Sequence, residues 1–188
     1  TIFMYTWRDR ELTMDLFEEM SGRRVVYSMN TVGGVRRDVT DAFLQKLKKY
    51  CNYLEERVKF YRELVMNDAT ILARFQNVGI LTKRDAIDLS AVGPTTRGSG
   101  VKKDVRYEEP YAVYDESPFQ IVVREEGDAL AKTVVRIDEI QVSIDILKWI
   151  ADNIPSGDIK IKFSPMAKAP ENEAISRVEA PRGELFYY

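Results

Sequence analysis

Histidine is absent from the 188 residues, and cysteine occurs once, as Cys51. Without an imidazole the chain holds no Ser-His-Asp triad, no Cys-His pair, no His-Glu-x-x-His zinc helix and no imidazole proton shuttle. One cysteine forms neither an intrachain disulfide nor a Cys-x-x-Cys metal site, and a reducing compartment is the simplest setting for it. Long apolar runs are missing too. The longest segment free of Asp, Glu, Lys and Arg, Val25 to Val35, falls far short of the roughly 18–20 apolar residues that cross a bilayer, so no direct membrane span is expected. Charge of one sign is also lacking: 28 basic residues against 30 acidic ones, a net charge of -2, provide no field for gripping nucleic acid.

What is present suits a folded protein, with 45% hydrophobic and 31% charged residues. The chain is long enough for a substantial core. It opens on Thr1 and stops at Tyr187-Tyr188, and the expectation is a single domain over residues 1–188, excised from the middle of a longer chain.

Apolar periodicity organises it as an α+β chain, mainly helical, with two long helices, short strands and a small β-hairpin. Leu12, Leu16 and Met20 share a face of an opening helix that stops at Ser21-Gly22. Arg24 to Asn30 alternates as a strand, ended by Gly33-Gly34. Between Thr40 and Met66, residues Phe43, Leu47, Tyr50, Leu54, Val58, Tyr61 and Val65 recur at spacings of three and four, which predicts a long amphipathic helix. Shorter helices are expected at Ala69 to Gln76 and Leu81 to Ser90, the latter capped by Thr82 with Asp85. Gln120 to Arg124 reads as a strand. From Asp128 to Asn153 a second long helix carries Leu130, Val134, Ile137, Ile144 and Leu147 on one face and Val135, Val142, Ile146 and Trp149 on another, the pattern of a helix buried on two sides. Ile159 to Phe163 and Ala174 to Glu179 alternate as strands of a hairpin or small sheet.

Val92 to Tyr114, rich in Gly and Pro and without periodicity, is the place to look for function, because loops of that length inside a domain are functional or docked on a partner. Two phosphate-loop patterns in it fail. Gly93 and Gly98 have the outer spacing of a Walker A loop, but Ser99-Gly100 replaces the lysine and hydroxyl that should follow, and the third glycine of a dinucleotide fingerprint falls at Lys103. Arginines cluster beside glycine at Arg36-Arg37, Arg97 and Arg182; taken singly, each reads as turn chemistry with an exposed cation. Tyr107, Tyr111, Tyr114 and Phe119 lie among acidic neighbours that would repel phosphate, so they read as packing for an extended loop. The pairs Glu18-Glu19 and Glu125-Glu126 have nothing in sequence to tune them for acid–base work.

In order along the chain, Thr1-Ile-Phe-Met-Tyr-Thr-Trp-Arg-Asp-Arg-Glu, Ser21-Gly-Arg-Arg, Gly33-Gly-Val-Arg-Arg-Asp38, Gly93-Pro-Thr-Thr-Arg-Gly-Ser-Gly-Val101, Pro110-Tyr-Ala-Val-Tyr-Asp115 and Arg177-Val-Glu-Ala-Pro-Arg-Gly-Glu184 resemble one family. It is the large subunit of membrane-bound, energy-converting nickel-iron hydrogenases, together with the related quinone-site subunit of respiratory complex I. The resemblance implies the hydrogenase large-subunit-like fold. It further implies an oxidoreductase component of a membrane-associated complex, interconverting hydrogen and protons coupled to ion pumping. The alternatives are a quinone-site subunit of NADH dehydrogenase, or a non-catalytic assembly module of the same fold.

By the same resemblance Pro181-Arg182-Gly183 matches the motif that places an arginine beside the metal site, making Arg182 the one catalytic candidate. The nickel-iron centre of the family is held by two Cys-x-x-Cys motifs, and neither is here, so no cofactor or metal residue is expected within this chain. The histidine and tyrosine of the quinone branch are likewise missing. Partners implied are an iron-sulfur small subunit and membrane subunits, with a peripheral location on the cytoplasmic side. Thr1 to Met20 and Asp128 to Asn153 are the candidate contact surfaces. The chain alone is expected to be inactive.

Overall fold

The computed structural model describes residues 2–26, 28–162 and 171–188. In chain order the elements are α1 (Ile2–Ser21), β1 (Asn30–Thr31), β2 (Gly34–Val35), α2 (Asp41–Asn67), α3 (Ala69–Phe75), α4 (Lys83–Asp88), α5 (Pro94–Arg97), α6 (Val105–Glu108), α7 (Ala129–Asn153), β3 (Ser176–Ala180) and β4 (Gly183–Tyr187). The mixed, mainly helical architecture with two long helices is the one the periodicity predicts. The chain divides into two compact units, one of Thr1–Leu54 with Ile150–Asn172, the other of Glu55–Trp149 with Glu173–Tyr188.

In the first unit α1 runs antiparallel to the start of α2. Lys46 reaches Glu19, the hydroxyls of Thr13 and Tyr50 share a hydrogen bond, and Tyr53 donates to Asp9 at 2.7 Å. Asp9 is only 3% exposed, and the adjacent Arg8 pairs with it. Phe43, Leu47 and Cys51 are buried along α2, as their helical spacing requires. Among the described residues of the expected strand from Arg24 to Asn30, only Asn30 lies in a strand. Three carboxylates on successive turns of α1, Glu11, Asp15 and Glu18, instead gather the Arg24 guanidinium where the chain bends over residues 22–25. Among the described residues of this unit the strands are those of a small antiparallel hairpin in which Asn30 faces Val35 and Thr31 faces Gly34. Ile159 to Ile161 joins it, Val35 N–H donating to Ile159 and Ile161 N–H to Gly33. It pairs there, and not with the run from Ala174; Phe163 lies outside the described residues.

In the second unit α2 and α7 run antiparallel, bridged by Lys148–Glu55 at 2.8 Å and Arg62–Asp138 at 2.9 Å. Val58, Tyr61 and Val65 of α2 and Val134, Val135, Ile144 and Ile146 of α7 are buried, so both predicted apolar faces of α7 contribute to the core. Thr82 caps α4 through Asp85, as the sequence indicates, and Asp68 caps α3 through the backbone of Thr70 and Ile71. Gln120 to Arg124 forms no strand among the described residues; Arg124 N–H donates to the carbonyl of Arg97. The actual second hairpin is β3 with β4, Ser176 opposite Tyr187 through Ala180 opposite Gly183, turning on Pro181-Arg182. That two-residue loop joins strands adjacent in sequence, and local closure of this kind forms more readily than pairing with a distant strand.

Candidate functional site

The glycine-rich stretch after Val92 is held from several sides. Gly93 sits at φ +72° with Pro94 at the first helical position of α5. Gly98 lies under α7, where an added Cβ would meet Lys132 at about 3 Å. Gly98 also accepts from Gly127 N–H. These glycines serve backbone packing, in keeping with the failed phosphate-loop patterns.

At the centre of the stretch Arg97 is 1% exposed. Its Nε donates to Glu139 of α7 at 2.5 Å, and its Nη1 donates to the Lys103 carbonyl at 3.0 Å and to Glu179 of β3 at 3.0 Å. Asp104 lies 3.1 Å from the same nitrogen. Asp104 also takes both arms of Arg106, at 2.9 and 2.7 Å, and caps α6 at the Arg106 N–H. Three carboxylates therefore converge on two guanidiniums, with Arg97, Asp104 and Glu179 the buried members. Burial pushes the Glu179 carboxyl above its ordinary pKa, and nearby Asp104 adds to the rise, while the Arg97 contact works against it. For Arg106, burial acts to lower its pKa, but the hydrogen-bonded Asp104 more than offsets this and raises it, so the group stays charged.

The same knot fixes the Pro181-Arg182 turn. Glu179 stands three residues before Arg182, and its backbone N–H donates to the Tyr111 hydroxyl. On the far side, a Cβ at Gly93 would fall 2.5 Å from the Arg182 carbonyl oxygen and 2.5 Å from the Gly183 Cα, so loop and turn meet backbone to backbone. Gly183 reciprocates against Val92 and Gly93. The Arg182 residue itself is exposed at the tip. A cavity of about 410 Å³ opens beside Pro181, lined by Arg97, Arg106, Arg136, Glu139 and Glu179.

Of the arginines beside glycine, Arg97 and Arg182 thus meet at one junction, the first buried and the second exposed; Arg36 and Arg37 are exposed residues of the other unit. The reading of Arg97 as an exposed turn cation is corrected by its ion pairs. Glu139 was legible in principle: it falls in step with Val135, Val142 and Ile146 on an apolar face of α7, and a charge there calls for a buried partner. Nothing local marks Glu179 or Asp104. The tyrosines do pack the loop, Tyr111 against Tyr114 at 5.0 Å and Tyr114 against Phe119 at 5.9 Å with Arg106 over Phe119, but Tyr107 is exposed. Among the described residues no group of three His, Cys, Asp or Glu side chains is placed to hold a metal ion, and the lone Cys51 is buried. The donor set of a nickel-iron centre is not offered by these residues.

Comparison with known proteins gives the chain its relatives. The family model for the respiratory-chain NADH dehydrogenase, 49 Kd subunit, matches residues 1–167, a span that stops before the Pro181-Arg182 turn. An NADH-quinone oxidoreductase subunit of Phocaeicola vulgatus is 40% identical over 188 residues, covering all of this chain and 36% of that protein. Another NADH-quinone oxidoreductase subunit, from Sinorhizobium medicae, is 34% identical over 214 aligned positions, covering all of this chain and 53% of that protein. Among solved structures, a chain of the membrane-bound sulfane sulfur reductase, an archaeal respiratory membrane complex, superimposes with a TM-score of 0.90 at 33% identity, over 97% of this chain and 51% of that one. The chain spans between about a third and a half of the relatives it matches. With the family model covering most of its residues, this chain belongs to the 49 kDa subunit family of the respiratory-chain NADH dehydrogenase.

Proposed function

We propose that the chain is part of the peripheral, 49 kDa-type subunit of a membrane-bound respiratory oxidoreductase, and that it presents Arg182 to the reaction site. The supporting observation is the turn: an exposed arginine whose backbone is seated on Gly93 and whose strand is tied to a buried guanidinium. A turn held this way sets the backbone from which the cation reaches an electron acceptor docked beside it, and a positive charge placed in advance stabilises the negative charge that develops there. The chain contributes scaffold, loop and this one side chain, and alone it does not turn over. Electrons come from an iron-sulfur cluster of a neighbouring small subunit, membrane subunits handle ion pumping, and the assembly sits at the cytoplasmic face of the membrane.

The relatives' names favour a quinone as the acceptor. Hydrogen and proton interconversion at a nickel-iron centre is the second reading, carried by the match of Pro181-Arg182-Gly183 to the hydrogenase motif. Metal analysis of the full-length subunit purified with its complex separates them: nickel and iron support the second, and a nickel-free complex that reduces quinone supports the first. In that complex Arg182→Ala lowers turnover about 100-fold with assembly intact. Undiminished turnover in Arg182→Ala overturns the proposal for this residue.

A further inference from the structure

Resting on the reading of Arg182 given above, we infer that Glu179 is a positioning residue for that arginine, acting through the strand end and not by touching substrate. Three observations converge on it. First, the Glu179 side chain is 4% exposed and takes its hydrogen bond from Arg97, which belongs to the loop and is itself anchored to Glu139 of α7. The carboxylate therefore ties β3 to a long helix and not merely to a neighbouring loop. Second, Glu179 is held at its backbone as well, since its N–H donates to Tyr111 at 3.2 Å. Tyr111 is braced by Tyr114 and, behind it, by Phe119. Third, the turn beyond Glu179 has no slack: Ala180 pairs with Gly183, and Gly93 meets both the Arg182 carbonyl and Gly183 with no room for a Cβ between them.

A strand held by carboxylate and N–H on one side of a two-residue turn, and by glycine contact on the other, has its turn backbone defined at both ends. Arg182 then varies only in its own side-chain torsions. Freeing the carboxylate lets the strand end shift and carries the turn with it, and a displacement near 1 Å at a reacting centre is enough to lower turnover about 100-fold. Charge matters here, and not only shape, because Glu179 is the β3 member of the buried ion cluster while Asp104 keeps Arg106 as a second partner.

The test is a double-mutant cycle in the full-length subunit within its purified complex. Glu179→Gln keeps the size and an acceptor oxygen but removes the charge. The expected result is normal assembly, turnover lowered about 10- to 100-fold with little change in KM, and partial recovery in Glu179→Asp. Combining Glu179→Gln with Arg182→Ala is expected to be no slower than Arg182→Ala alone, because the first residue acts through the second. Multiplying losses in the double variant, or normal turnover in Glu179→Gln while Arg182→Ala is slow, overturn the positioning role and leave Arg182 standing. Normal turnover in Arg182→Ala instead overturns the reading on which it rests. Should Glu179→Gln not assemble, the same cycle with Tyr111→Phe, which removes only the hydroxyl under the Glu179 N–H, carries the same two outcomes.

Discussion

Replacing Arg97 by Met preserves much of its bulk and removes the charge at the middle of the cluster. The carboxylates respond differently. Asp104 keeps its paired contacts with Arg106. Glu139, at 18% side-chain exposure, stands nearest to solvent. Glu179, at 4%, loses the guanidinium that faces it and retains a long contact to Val105 N–H. One buried carboxylate without its cation destabilises the fold by about 3–5 kcal/mol at neutral pH. The sign with pH follows from linkage. Burial and Asp104 already lift the Glu179 pKa in the folded protein, and losing Arg97 lifts it further. The folded variant thus binds the Glu179 proton more tightly than the unfolded chain does. Its stability is favoured below the ordinary carboxylate pKa of about 4.3 and is lost as pH rises through the folded value. Urea unfolding followed by circular dichroism at pH 5 and pH 8 is the assay, and the gap between Arg97→Met and wild type is expected to narrow by at least about 1 kcal/mol at the lower pH. A variant within about 1 kcal/mol of wild type at pH 8, or a gap that does not change with pH, refutes the assignment of Glu179 as the stranded charge.

Gly93→Ala places a methyl group against the Arg182 carbonyl and forces a side chain onto a backbone at φ +72°; it is expected to lower stability by at least about 2 kcal/mol by thermal unfolding, and an unchanged midpoint would contradict the close approach. Asp128→Ala removes a buried carboxylate that accepts from Ala131 N–H at the start of α7 and from Asn77 N–H, both at 2.8 Å. A loss of about 2 kcal/mol is expected in urea, and Asp128→Asn is expected to regain no more than about half of it, because Ala131 and Asn77 donate to different oxygens and the amide offers only one acceptor.

Much of this molecule is written locally. The helix over Asp41–Asn67 follows from Phe43, Leu47, Val58, Tyr61 and Val65, which all end up buried, and the cap of α4 is read from Thr82 with Asp85. Strands were less legible, because alternation gives a face and not a partner. Alternation over Ala174 to Glu179 matches the strand Ser176–Ala180 to within two residues, but its mate is Gly183–Tyr187, chosen by the two-residue turn, and at Arg24 three carboxylates on α1 outweigh the local alternation. The site divides the same way. Arg182 rests on a motif match, whereas the cluster behind it depends on Arg97, Asp104, Glu139 and Glu179 meeting from four separate elements or loops. Sequence offers only one hint of that meeting, a glutamate set in an apolar helical stripe.

The bond from Arg97 to Glu179 spans 82 residues. Closing a loop of that length carries an entropic penalty of roughly 4 kcal/mol, so in folding it follows the contacts that Arg97 makes with Lys103 and Asp104 nearby. On a ribosome adding about 5–20 residues each second, Arg97 emerges about 4–16 s before the glutamate that will face it. During that interval the Arg97 guanidinium already has its carboxylates at Asp104 and then Glu139, and stands as a preformed socket with one place for a carboxylate still open. The hairpin bearing Arg182 is therefore the late-arriving half of the junction, and in hydrogen exchange β3 and β4 should open before α7 does.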